Sequence, residues 1–460
     1  MTPHGGEPGA ASPPPIESEA PGQPGQAGGS LRRRAINSFL WTLLSFGGTR
    51  GISFVSNLIL TALLYREAFG VMLIVSTVIT GIHLFSDIGI GPSIIQSKRG
   101  DDPDFLDTAW TVQLIRGVGV FLVACVLAWP ISVLYANPDL ALMVPAAGFI
   151  AVLGGFTSTG FSTVIRNQQL KRRTILELAA QVMTLPVTAV LAWQLHSPWA
   201  LLIGWSFADT LRMVLSHLML PGQRNRFRLQ RESVAEIVHF GRWILLSTVL
   251  TFFADRSDVL ILGRLFTDAD RGVYWIAQTI ALVVPDTLQA VIYKVVFPTL
   301  SEIRRSDTAR VGRVLDKFRR AAVPLGLIGL GILALFGQYI IDFLYKPEYA
   351  DAGWMLRVLA AGNMMRLINN SSNSVWLALG DSFRQMTMNA LAIPIVLIAV
   401  FVGNHFGGTT GTVIGIASAD VFLYPYIAWS LRRKGLWNPT LDFTAMLIAG
   451  TGVALGAWLL

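Results

Sequence analysis

Residues 59–74 read ILTALLYREAFGVMLI, and residues 261–276 read ILGRLFTDADRGVYWI. Each stretch ends one apolar segment, passes through a short polar turn and begins another. At an offset of 202 they match without a gap at Ile59 and Ile261, Leu60 and Leu262, Leu63 and Leu265, Gly70 and Gly272, Val71 and Val273, and Ile74 and Ile276. The same register places Trp41, Leu43, Leu44 and Ser45 on Trp243, Leu245, Leu246 and Ser247. Apolar matches arise easily by chance in such sequences; tryptophan and glycine matches do not. The chain therefore reads as two related halves.

The rest of the sequence says what the halves are made of. Just over half of the 460 residues are hydrophobic (53%) and only 14% are charged, well below the roughly 25% charged of soluble domains. A span needs about 20 mostly apolar residues. Thirteen stretches qualify: 36–63, 69–95, 109–135, 139–165, 174–195, 198–220, 236–262, 272–298, 321–345, 351–378, 387–405, 410–431 and 441–460. Residues 1–34 form a tail rich in Pro, Gly, Ala and Ser that cannot bury enough surface to fold. It lacks the apolar core of a signal peptide.

Cations orient the chain. Alternate connections carry twenty-four Lys and Arg, from Arg32–Arg34 through Lys98 and Arg99, Arg166–Arg173, Arg224–Arg231, Arg304–Arg320 and Arg384 to Arg432–Lys434. The other set holds only Arg66, Arg264, Arg271 and Lys346. The positive-inside rule makes the basic set, and the N-terminus, cytosolic. The net charge of +8 thus reports membrane orientation, not nucleic-acid binding. In the longest inner connection, Val311, Val314, Leu315 and Phe318 recur at helical spacing, which predicts an amphipathic helix lying on the membrane surface; a solvated linker is the alternative.

Six spans per half is an even number, so the halves share one orientation. The expected architecture is all-α: two six-helix bundles (35–220 and 236–432) related by a parallel pseudo-two-fold axis, a basic linker over 221–235, and one additional span over 433–460. Two such bundles around a cavity make a transporter frame.

Ionisable groups inside spans are functional candidates by default. Arg50 shares a helical face with Ser53 and Asn57, and Arg366 with Asn363, Asn370 and Asn373. The seventh span carries Thr248, Thr251, Asp255 and Asp258 on one stripe, with Arg256 beside it. The eighth carries Gln278, Asp286 and Gln289, then Lys294. Asp87 and His83 stand four apart in the second span, and Arg116 enters the third. Asp209 and Arg212 read as a structural pair, and Asp420 is mid-span in the twelfth. Arg50, Arg366, Arg256, Lys294 and Arg116 suit an anionic head group, because guanidinium pairs bidentately with phosphate. Ser53, Asn57, Asn363, Asn370, Asn373, Gln278 and Gln289 suit sugar hydroxyls. Asp87, Asp255, Asp258 and Asp286 are candidate proton or sodium sites. There is no phosphate-binding Gly-rich loop. The single cysteine, Cys125, and scattered histidines give no metal-ligand cluster, so no cofactor is expected.

The run Ser86-Asp87-Ile88-Gly89-Ile90-Gly91-Pro92 with Ile94-Ile95-Gln96 resembles the second-span signature of bacterial polysaccharide exporters. Asp107-Thr108-Ala109-Trp110, Asp258 to Arg264 with Gly272-Val273-Tyr274, and Val296 to Ser301 resemble their third, seventh and eighth spans. From residue 35 onward the chain resembles the polysaccharide transporter family of the multidrug/oligosaccharidyl-lipid/polysaccharide flippase superfamily. The resemblance implies two six-helix bundles arranged as in the multidrug (MATE) transporters. It also implies a bacterial inner-membrane flippase for undecaprenyl-pyrophosphate-linked oligosaccharide, serving capsule, exopolysaccharide or O-antigen (lipopolysaccharide) synthesis alongside polymerase machinery. It implies no enzyme. A cation-coupled drug antiporter remains the alternative, kept open by Asp87 and Asp286. A membrane-embedded polymerase or transferase is opposed by the short outer loops, and a structural recruiter would need no charged cavity.

Overall fold

The computed structural model describes residues 47–167, 169–221, 225–292, 308–378 and 381–458. Among these, every long element is a helix and there is no strand. The first half contributes α1 (47–63), α2 (Arg66–Phe85), α3 (Ile90–Gln96), α4 (Pro103–Leu134), α5 (Leu140–Gly155), α6 (Gly160–Arg166), α7 (Leu170–Leu195) and α8 (Trp199–Met219). The second contributes α9 (Arg231–Leu265), α10 (Asp268–Ala281), α11 (Val283–Val291), α12 (Thr308–Leu344), α13 (Asp351–Ala378) and α14 (Ser382–Arg433), which turns at Gly408. Helix α15 (Pro439–Trp458) follows.

Each of the thirteen apolar stretches is mainly helical where it is described, with breaks near 86–89, 156–159 and 282. α2, α4, α7, α12 and α14 are each long and apolar enough to cross a membrane alone, and α5 with α6, bent by 58°, makes a sixth. Several of the remaining stretches are interrupted by charges or breaks, as in α9 and in α10 with α11. The chain is a multi-pass membrane protein.

The duplication is visible in three dimensions. α1 and α9 end at Leu63 and Leu265, and α2 and α10 begin at Arg66 and Asp268, both at the offset of 202. A Cβ on Gly70 would strike the Asp268 carbonyl, and one on Gly272 would strike the Arg66 carbonyl. Each contact is the image of the other, as a two-fold axis between α2 and α10 requires. The absent side chains let two backbones meet.

That end, opposite the basic connections, is closed by further contacts between halves. Tyr345 Oη donates to Asn57 Oδ1 (2.7 Å), Arg264 donates to the Leu134 carbonyl (2.6 Å), and Asn137 donates to Asp268 (3.1 Å). The two flanks nearer the basic end differ from one another. Between α2 and α9, Phe85 packs edge-on against Phe252 (5.1 Å between ring centres), Thr248 donates to the Leu84 carbonyl (2.7 Å), and Gly241 lies against the Ile88 carbonyl. Between α1 and α11, the halves are joined by the ion pair Arg50–Asp286 (2.8 Å).

Two expectations change. The basic linker is shorter than 221–235, because α9 starts at Arg231 with Glu232 in its positive first turn. Its described part is docked on α4: the Arg226 and Arg228 amides donate to Asp107 and Thr111, and the Gln230 amide to Thr108. The amphipathic segment before span nine is not a separate surface helix. From Thr308 it is the first part of α12, with Leu315 and Arg319 fully buried. Its periodicity serves packing: Arg319 forms an ion pair with Asp442 of α15 (2.5 Å) and donates to Ser371 of α13 (2.9 Å).

Candidate functional site

Three spans are broken inside the molecule, and each break shapes a polar site. The Ser86–Pro92 signature interrupts the second span. Asp87 Oδ1 accepts from the Gly89 amide (2.9 Å), and Gly89 takes the left-handed conformation (φ 61°) that restarts the chain as α3. At the α5–α6 bend, Gln113 Nε2 donates to the carbonyls of Gly154 (3.1 Å), Gly155 (3.1 Å) and Thr157 (3.0 Å). At the α10–α11 break, the Asn363 amide donates to the Ala281 carbonyl (3.1 Å). Backbone freed at the breaks is thus re-satisfied by one carboxylate and two amide side chains.

The first two breaks open onto a cavity of about 580 Å³ within the first half. Its charged lining consists of Arg116, Arg173 and Arg212 with Asp87, Glu177 and Asp209, and His83 is also on its wall. Each arginine has an acid: Arg173–Glu177 at 2.7 Å, Arg212 with Asp209, and Arg116 4.0 Å from Asp87. Arg116 also donates to Ser86 Oγ (3.1 Å) and the His83 carbonyl (2.8 Å). These contacts tie it to the end of α2.

A second cavity of about 540 Å³ adjoins it, sharing Glu177 and Arg212. Ser53, Ser56 and Asn57 of α1 face Gln181, Thr184 and Thr188 of α7 across it, with Trp205 and Trp275 on the wall. Gln181 Nε2 donates to Ser53 Oγ (2.8 Å). Tryptophan faces with hydroxyls and amides make a surface suited to sugar rings.

The other predicted residues gather elsewhere. Arg366 pairs with Asp255 (3.4 Å) and lies within coulombic range of Asp420, Asp258 and Asp286. Asn369 donates to Asp420 Oδ1 (2.9 Å). Buried Asp258 accepts from Tyr274 Oη (3.1 Å) and Gln278 (3.4 Å), and feels Arg256. Arg366 therefore stands among carboxylates. Asn363 is spent on packing, Asn370 and Gln289 are half-buried on α13 and α11, and Lys294 and the Asn373 side chain lie outside the described residues.

Sequence reasoning passed over Arg173, Glu177, Gln181, Thr184 and Thr188. Their spacing of 4, 4, 3 and 4 is one polar stripe down α7, legible without a structure. Trp205 and Trp275 carried no such signal. At the basic end, the Arg99 guanidinium, hydrogen-bonded to Asp102 (2.8 Å), holds that carboxyl below its usual range, and the Asp104 amide adds to the effect. Arg99 also donates to Gln230 (2.9 Å), tying the linker to the cap of α4.

Comparison with known proteins bears on this arrangement. The family model described as polysaccharide biosynthesis protein matches residues 59–354. The lipopolysaccharide biosynthesis protein WzxC of Escherichia coli is 22% identical over 431 residues, covering 89% of this chain and 85% of that protein. The succinoglycan biosynthesis transport protein ExoT of Rhizobium meliloti is 21% identical over 323 residues, 70% of this chain and 64% of that protein. Among solved structures, the lipid II flippase MurJ in an inward closed conformation superposes with a TM-score of 0.66 at 10% identity, covering 92% of this chain and 98% of that one. An inward-facing multidrug transporter of the MATE family gives 0.61 at 15% identity, over 89% and 99%. These likenesses agree on the two-lobed fold.

Proposed function

The chain belongs to the polysaccharide biosynthesis protein family, and we propose that it is a flippase carrying lipid-linked oligosaccharide across the bacterial inner membrane. The lipid is of the undecaprenyl-pyrophosphate type, and the product feeds capsule, exopolysaccharide or O-antigen synthesis. The basic connections and the N-terminus face the cytosol, and polymerase machinery takes the product on the far side.

The observation that carries this reading is the pair of adjoining cavities, the first within the first lobe and the second walled on one side by Trp275 of the second. A pyrophosphate entering the first would exchange the carboxylate partners of Arg116, Arg173 and Arg212 for its own oxygens. Each exchange keeps a charge-assisted hydrogen bond. Glycan hydroxyls would meet Ser53, Asn57 and Gln181 next door, with Trp205 and Trp275 against ring faces. The isoprenoid tail stays in the bilayer, so only the head needs a polar route. Asp87, Asp255, Asp258 and Asp286 are the groups through which protons or sodium ions would drive the cycle.

The compensated central network favours one rival, a cation-coupled drug antiporter, because four carboxylates surround Arg366. Deleting the gene and measuring lipid-linked intermediates by mass spectrometry, with surface polymer in parallel, separates the two. The flippase reading expects intermediates to accumulate and polymer to fall. It also expects well-expressed Arg116→Ala, Arg173→Ala and Trp205→Ala to fail in rescue. Unchanged intermediates and polymer in a host without a redundant exporter, together with new drug sensitivity, would make the antiporter the answer.

A further inference from the structure

The basic linker and the two helices it touches leave a surface that the transport route does not use. Residues 226–231 read Arg-Phe-Arg-Leu-Gln-Arg. The amides of Arg226, Arg228 and Gln230 dock on α4, yet Phe227 and Leu229 stay largely exposed, at 71% and 60%. Beside Leu229 a groove of about 680 Å³ runs between α9 and α4 near their starts. Arg231, Val234, Ala235 and Val238 form its α9 wall, on one helical face. Val112 and Ile115 of α4 form the other wall.

Charge sorts with this geometry. Among the residues lining the groove, Arg231 is the one that carries charge. The acids of the same helix, Glu232 and Glu236, lie roughly 100–140° around it from Arg231, and Glu236 is engaged by Ser97 (2.6 Å). Arg228 pairs with Asp104 (2.5 Å). Neither Arg226 nor Arg231 has an ion-pair partner among the described residues. Depth follows from α4. Its exposed apolar stripe begins at Ile115 and continues through Val118, Leu122, Val126 and Trp129 to Val133. From Ile115 to the helix end at Leu134 is about twenty residues, or about 30 Å, the thickness of bilayer hydrocarbon. Ile115 thus stands at the edge of the hydrocarbon, with the linker and Arg231 at head-group depth.

We propose that this groove holds one anionic phospholipid of the leaflet at the basic end, its phosphate on Arg231 and an acyl chain between α4 and α9. The guanidinium pairs bidentately with a phosphate diester. The acyl chain covers apolar walls that would otherwise face head groups and water, and it runs on along the α4 stripe into the bilayer. Phe227 and Leu229 enter the same interface beside the arginines, as apolar residues of basic surface segments do. Because α4 belongs to the first half and α9 to the second, the lipid bridges them and favours the arrangement that keeps this groove. None of this depends on what is transported.

Native mass spectrometry of the full chain, released from nanodiscs of equal phosphatidylglycerol and phosphatidylcholine with matched chains, tests the site. The wild type should retain phosphatidylglycerol in preference to phosphatidylcholine. Arg231→Gln should cut that preference about fivefold, the worth of one surface cation facing anionic lipid. Ala235→Trp, which fills the groove from an exposed position, should lower retention of both lipids, whereas Val182→Trp on α7, also exposed (54%), should leave it unchanged. Equal retention of the two lipids by the wild type, or an unchanged preference in Arg231→Gln, overturns the head-group assignment. Retention that Ala235→Trp leaves alone, or that Val182→Trp lowers as much, overturns the groove. A wild-type dimer that Ala235→Trp dissolves makes the occupant a second copy of the chain and overturns the lipid.

Discussion

Replacing Asp286 by alanine distinguishes two roles for Arg50. If Arg50 only waits for an anionic head group, losing its competitor should leave the protein's conformations alone. If the pair straps the halves together, either single substitution should part them. The charges of Arg50 and Asp286, with atoms 2.8 Å apart, have centres near 4 Å, which gives about 4 kcal/mol at an effective dielectric of about 20. Both side chains are more than two-fifths exposed, at 43% and 42%, so solvent screening reduces this to about 1 kcal/mol. That corresponds to about a fivefold change in the population with the α1–α11 seam parted. Spin labels on Gly47→Cys and Thr287→Cys, in a Cys125→Ala background, would report the seam by pulsed electron resonance. Asp286→Ala and Arg50→Ala should each enlarge the long-distance population about fivefold, and the double variant should add little. The swap Arg50→Asp/Asp286→Arg should recover much of the short distance. Additive single effects, or an unchanged distribution in Asp286→Ala, would refute the strap.

Other consequences are open to simpler measurements. Gly272→Val drives a branched side chain onto the Arg66 carbonyl and Gly70→Val onto that of Asp268; each should lower stability by about 3 kcal/mol. Thermal melting should show the double variant losing less than the sum, because opening the seam once relieves both clashes. Arg319→Ala leaves Asp442 buried without its charge partner and should destabilise by about 3–5 kcal/mol, whereas Arg319→Met/Asp442→Leu should be near neutral in the same assay. Because the folded-state pKa of Asp102 is lowered by Arg99, its contribution to linker docking is present above the ordinary carboxylate value of about 4 and is lost as pH falls below it. Hydrogen-exchange protection of residues 225–236 should decline over that range in the wild type and vary less in Asp102→Asn.

Much of the fold was legible because membrane spans obey one strong rule. Backbone in hydrocarbon must be helical, and about 20 apolar residues are needed to cross. The 202-residue offset was legible because Gly70 and Gly272 are each required by the other's helix. The site was less legible. Periodicity brings Ser53 to Asn57 along one face, but it cannot say that Arg50, on the same face, turns to a helix 236 residues away. Nor can it say that Asn363 will be taken up by the carbonyl of a broken helix. The segment 308–320 shows the same limit. A polar–apolar stripe has one appearance whether its partner is lipid or another helix, and only the buried Arg319–Asp442 pair decides between them.

The duplication also shows where function departed from symmetry. At the offset of 202, Arg50 corresponds to Phe252 and Asp286 to Leu84. The two flanks began as equivalent seams, and each retains contact at this level: Arg50 with Asp286 on one, and the α2 end at Leu84 and Phe85 with Thr248 and Phe252 on the other. The aromatic flank is held by ring packing and a neutral hydrogen bond, with no ion pair among its cited contacts. The ionic flank is solvated, and phosphate oxygens can take over from Asp286 with little loss of hydrogen bonding to Arg50. At the opposite end, where both halves kept glycine, backbone meets backbone, and Tyr345–Asn57, Arg264–Leu134 and Asn137–Asp268 hydrogen bonds add to the contact. On the flippase reading proposed above, a head group that competes for Arg50 would loosen the ionic seam, and the expected motion is a pivot about the Gly70–Gly272 contact.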